Sequence, residues 1–126
     1  MKQPVTVVKF GSSVLRAAGD LPLVVHEVYR AWREGGRVVA VVSALGKTTD
    51  ELLGRAQQLG LPPERTAAAD ALATLLATGE AASAALLTLA LRRSGIPTTL
   101  FDTAQAPLRT HGDPLDAEPV AAFAPR

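Results

Sequence analysis

The chain opens on a short, nearly continuous apolar run, Val5-Thr6-Val7-Val8-Lys9-Phe10, rich in β-branched residues. Such a run predicts a buried strand of a parallel sheet rather than a one-sided antiparallel strand. Gly11-Ser12-Ser13 ends it in a flexible turn. Asp20 stands where a helix cap is wanted, and Pro22 fits the first helical turn. Val24, Val25, Val28, Ala31 and Trp32 then recur at helical spacing until Gly35-Gly36, a stop signal. A second β-branched run, 37–43, predicts a second strand. After the loop Ala44-Leu45-Gly46-Lys47, Thr48 and Glu51 have capping-box spacing ahead of Leu52, Leu53, Ala56 and Leu59. Gly60 and Pro62-Pro63 end that helix.

Residues 64–93 are dominated by Ala and Leu, strong helix formers. Gly79-Glu80 interrupts them, which predicts two helices or one bent helix, apolar on more than one face. Gly95 supplies the stop, and 96–101 reads as a third short strand. The order β-α-β-α-α-β predicts an α/β fold: a partial parallel sheet with right-handed crossovers and helices on its faces. Three strands leave a long edge, so a covering partner is expected, either a second copy in a homo-oligomer or a partner domain. After Asp102 the composition turns to Pro, Asp, Gly and Thr. Residues 1–102 are therefore expected to form the folded unit, and 103–126 a tail of loop or partner-dependent structure.

Composition narrows the chemistry. The 126 residues fit one small domain, and the absence of cysteine removes disulfides, thiolate metal sites and a thiol nucleophile. Thirteen Lys+Arg against twelve Asp+Glu is not the basic surplus of a nucleic-acid binder. No apolar run reaches the roughly 18 residues of a membrane span without interruption. Met1-Lys2-Gln3-Pro4 leads into the first strand without a signal-peptide profile, so a soluble cytoplasmic protein is expected.

Three polar clusters fall at strand ends or helix starts, where open α/β sheets bind ligands. Lys9-Phe10-Gly11-Ser12-Ser13 places an ammonium group and a Gly/Ser turn at the end of the first strand, an arrangement suited to phosphate. It lacks the order of a Walker A loop, and by spacing alone it reads first as an ordinary strand-to-helix turn with a surface lysine. Ser43 to Thr49 brings hydroxyls to a helix N-terminus, suited to a carboxylate or phosphate oxygen, or simply to helix capping. Glu80, beside Thr78 and Gly79, is either a ligand-facing carboxylate or an exposed acid in a helical first turn. Asp113, Asp116 and Glu118 look like loop acids in turn-forming surroundings. His26 and His111 form no evident catalytic pair.

The order of these segments carries more information than any one of them. Val7 to Val14 resembles the opening motif of the amino-acid kinase superfamily. Val41 to Leu52, containing Ser43-Ala44-Leu45-Gly46-Lys47-Thr48-Thr49, resembles the second motif of aspartokinases. Ala77-Thr78-Gly79-Glu80, with Ser83 to Leu87 and Gly95-Ile96, is similar to their third. The resemblance implies Lys9 as the catalytic lysine that stabilises the transferring phosphoryl group, and Gly11, Ser12 and Ser13 as the phosphate-binding turn. It implies Ser43, Thr49 and Glu80 as contacts to the amino-acid substrate, aspartate, with ATP and Mg²⁺ as cofactors. Ser12 stands where a second glycine is common, and glutamate 5-kinases carry a similar Gly-Ser-Ser turn. Nothing after Phe101 resembles the nucleotide-binding later half of such a domain. The expectation is an aspartokinase-like module incomplete for catalysis alone. The alternative is a non-catalytic amino-acid-binding or assembly domain, one form of which would be associated with homoserine dehydrogenase.

Overall fold

The computed structural model describes residues 3–60, 65–102, 105, 109–112, 114–115 and 118–121. Its elements are β1 (Val5–Phe10), α1 (Leu21–Arg33), β2 (Arg37–Val42), α2 (Thr48–Gln58), α3 (Arg65–Arg93), β3 (Arg109–His111) and β4 (Glu118–Ala121). β1 and β2 pair in parallel without offset, from Val5 opposite Arg37 to Phe10 opposite Val42. The crossover between them is α1, as the first three predicted elements require.

One face of this two-stranded sheet makes the core. Phe10, Leu15, Leu21, Val24, Val28, Leu87, Leu91 and Ile96 are buried together, with Val8, Val38, Ala40 and Val42 packed against them. The other face is open, with Val5, Val7, Val39 and Val41 46–66% exposed. The expectation of strands buried on both faces is corrected here. Alternation with period two, hidden in the sequence because both faces are apolar, governs burial.

α1 presents Leu21, Val24 and Val28 inward but leaves Trp32 exposed. Trp32 pairs with Tyr29 on the outer surface, their ring centroids 6.0 Å apart. Asp20 precedes α1 without capping it through its side chain. Its carboxylate accepts the Arg16 N–H instead, at 3.0 Å. The capping box before α2 also fails to form. Lys47 occupies the cap position, Thr48 is the first helical residue, and no side chain caps the end. Leu59, expected on the apolar face, is exposed.

α3 runs unbroken for 29 residues. Glycine within a helix costs roughly 1 kcal/mol relative to alanine, yet Gly79 has a packing reason to be there. A Cβ at this position would lie 3.0 Å from Ala44 Cβ and 3.3 Å from Thr48 Cγ2. By length and composition alone, Ala68–Arg93 could cross a membrane. In this fold, however, α3 packs against α1, α2 and β2.

The third strand predicted over 96–101 does not form. α3 ends in a Schellman turn: Gly95 takes φ +79°, its N–H donates to Arg92 O, and the Ile96 N–H donates to Leu91 O. Ile96 is thereby drawn into the core. Arg92 donates from Nε and Nη2 to the Thr98 carbonyl at 3.2 and 3.0 Å, engaging a group that a sheet ladder would need. The second sheet lies where composition suggests loop: β3 and β4 form a short antiparallel pair with an irregularity between Arg109 and Thr110. Gly112, at φ +97°, lies in the connection. Asp113 and Asp116 fall outside the described residues.

Candidate functional site

Because β1 and β2 end level, the segments leaving them start side by side. The turn after β1 closes on itself: the Val14 and Leu15 N–H groups both donate to Gly11 O, at 3.0 and 2.9 Å. Leu15 is wholly buried and anchors the turn in the core. Among the described residues no side-chain-bearing residue has positive φ. Ser12, which replaces a glycine of the resembling motif, therefore sits there without backbone strain.

The segment after β2 continues the ladder for one step, with the Ser43 N–H donating to Phe10 O at 3.1 Å. The Ser43 hydroxyl is half-buried and turned towards main-chain oxygens, 3.3 Å from Ala44 O and 3.5 Å from Phe10 O. Further on, the Gly46 N–H donates to Leu15 O at 2.7 Å, joining the two segments.

Between them lies an open basin of about 680 Å³, with Ser12, Ser13, Arg16, Lys47, Thr48 and Glu51 on its walls. Two cations, one carboxylate, three hydroxyls and the start of α2 converge there, a donor-rich setting for an anion. Arg16 is largely exposed, and its Nε lies 3.5 Å from Asp20 Oδ2. The Arg16 N–H on the Asp20 carboxylate, helped by the nearby guanidinium, holds the Asp20 pKa below the ordinary aspartate value.

Of the residues implicated by sequence, Ser12 and Ser13 line the basin. Lys9 is exposed and shares the open sheet face with Val5 and Val7. Thr49 is exposed in the first turn of α2, one residue beyond the basin wall. Glu80 is exposed on α3, immediately after the glycine that packs on Ala44 and Thr48. The three motifs thus meet at one end of the fold, while their side chains face different parts of it. Arg16 is the residue that sequence reasoning missed. Its position after a Gly/Ser turn carries no motif signal, and only the approach of Gly46 brings it opposite Lys47.

The profile of the amino acid kinase family matches residues 4–122. The chain is 35% identical over 112 residues to the aspartokinase of Geobacillus stearothermophilus, covering 86% of this chain and 26% of that protein. It is 37% identical over 107 residues to the aspartokinase of Mycobacterium tuberculosis, covering 84% and 24%. Among solved structures, the aspartate kinase from Synechocystis superposes with a TM-score of 0.67 at 37% identity, covering 75% of this chain and 16% of that one. The chain thus spans about a quarter of the length of the curated relatives it matches. With three motifs in order and a parallel β-α-β unit bringing them to one end, the chain belongs to the amino acid kinase family as an aspartokinase-like domain.

Proposed function

We propose that this chain is the substrate-side portion of an aspartokinase, built to hold aspartate beside a phosphate-accepting turn in the cytoplasm. The observation that carries this reading is the basin between the two strand-end segments, where Ser12, Ser13, Arg16, Lys47 and the start of α2 converge. Hydroxyls, cations and helix N–H groups suit phosphate oxygens. ATP would supply the phosphoryl group for transfer to the aspartate side-chain carboxylate. Gly11, Ser12 and Ser13 would face its phosphate end, and Lys9 would offset the charge gathering on the moving group. Ser43 and Thr49 would orient the amino acid by their hydroxyls, and the Glu80 carboxylate would pair with its α-ammonium group. Catalysis of this kind consists of positioning and electrostatics, so it requires all of these groups to be held in place at once.

Among the described residues no group of three acidic or histidine side chains is placed to hold a metal ion. These 126 residues, about a quarter of the length of their relatives, are expected by themselves to bind without turnover. The open valine face of β1 and β2 supports association with a second copy or a partner domain.

Calorimetric titration with L-aspartate tests the reading. Binding is expected in the unaltered chain, a loss of about tenfold or more in affinity is expected on Glu80→Gln, and ATP should yield no aspartyl hydroxamate above background. Unchanged affinity in Glu80→Gln would remove Glu80 from the site. Robust hydroxamate formation would show that the chain is catalytically sufficient. Failure to bind L-aspartate at all would leave a purely structural or assembly role.

A further inference from the structure

We propose that Gly46 is a positioning residue that locks the turn after β1 and the segment after β2 into one rigid unit, fixing the separation of the two walls of the basin. This rests on the aspartokinase reading of that basin. Gly46 has φ +48°, in the left-handed region that favours glycine. Its N–H donates to Leu15 O at 2.7 Å. A Cβ built on Gly46 would overlap the Arg16 carbonyl oxygen and stand 3.0 Å from its carbonyl carbon. Both are main-chain atoms, so no side-chain rotation relieves the contact.

The lock has two further members. Leu15 is wholly buried, and its own N–H donates to Gly11 O at 2.9 Å. The turn therefore cannot retreat from Gly46 without withdrawing Leu15 from the core. On its other side the same segment meets Gly79, whose absent Cβ leaves room for Ala44 and Thr48. The segment between Ser43 and Thr48 is held from both sides through glycines. These contacts differ in severity: a Cβ at Gly79 would crowd the Ala44 Cβ and the Thr48 methyl at 3.0 and 3.3 Å, whereas one at Gly46 would overlap a main-chain oxygen outright.

A ligand spanning Ser12 and Ser13 on one wall and Lys47 and Thr48 on the other needs both walls at one separation. A displacement of about 1 Å is enough to cost a site of this kind large factors in effectiveness. Gly46 itself lines the basin but brings no side chain to it, and its proposed role is to join the two walls.

The test compares Gly46→Ala with Gly60→Ala in the full chain. Gly60 also has positive φ, at +74°, but a Cβ there meets nothing within 4 Å among the described residues. Gly60→Ala thus carries the conformational strain without the inter-segment contact. Under conditions where both variants are folded, L-aspartate affinity should fall about tenfold or more in Gly46→Ala and stay within about twofold in Gly60→Ala. Equal losses, or no loss in Gly46→Ala, would overturn the proposal.

Amide hydrogen exchange in the unaltered chain provides a second measurement that needs no ligand. The Leu15 and Gly46 amides should exchange with one shared opening free energy, and clearly different values would overturn the lock. This measurement decides if Gly46→Ala does not fold. It also decides if the unaltered chain binds no L-aspartate, an outcome that would remove the aspartokinase reading and leave the lock standing or falling on exchange alone.

Discussion

The two faces of the β1–β2 sheet are built from nearly the same residues and have opposite fates. Val8, Phe10, Val38, Ala40 and Val42 lie against α1 and α3, whereas Val5, Val7, Val39 and Val41 lie open. A valine in a parallel strand therefore carries little information about stability until its neighbours are known. On the packed side it belongs to the same core as Leu15, which fixes the candidate site. On the open side it belongs to a surface that also carries Lys9.

The strongest way to break this contrast is to remove the packed side's anchor. Leu15→Ala should cost about 2–5 kcal/mol, because a fully buried leucine leaves both a transfer loss and a cavity. Chemical denaturation measures this, and a loss below 1 kcal/mol would mean that the turn after β1 is not seated in the core. On the open side, Val7→Ala should change the stability of the unassociated chain, at dilutions where sedimentation shows a single copy, by less than about 0.5 kcal/mol. A cost above 1 kcal/mol there would instead show that this face is covered within the chain itself, whereas one arising only at higher concentration would show that a second copy covers it.

The smallest effect concerns Asp20, at the outer rim of the turn. Its pKa is lowered in the folded chain, so its stabilising contribution is present above the unfolded-state value and fades as pH falls through the lower folded one. Asp20→Asn should lower stability slightly at neutral pH, leave it unchanged below the folded-state pKa, and so flatten this acidic limb of the stability profile. An unchanged limb would show that Arg16 and Asp20 are not coupled in solution.

Much of the architecture was legible from local pattern. β1, α1, β2 and α2 lie where β-branched runs, helical spacing and Gly/Pro stops put them, because each signal is a property of a few adjacent residues. The failures have non-local or conformational causes. Gly79 reads as a helix break until Ala44 and Thr48 are seen against it. The segment 96–101 reads as a strand until the Schellman turn and the Arg92 bonds to Thr98 draw it away from a ladder. Thr48 and Glu51 have the spacing of a cap but sit one residue too far into the helix. The site divides along the same line. Ser12 and Ser13 could be named from a turn and a resemblance, whereas Arg16 enters only because another segment approaches its backbone.

The level pairing of β1 and β2 makes the number of residues in each strand a functional quantity. If β2 slipped by one residue against β1, its side chains would exchange faces and its exit would move by about 3.3 Å. Val39 and Val41 would turn inward, and Gly46 would no longer arrive opposite Leu15. Single-residue insertions or deletions within either strand should therefore be far more disruptive than changes of comparable size in the exposed connections, because each would misplace a whole wall of the basin.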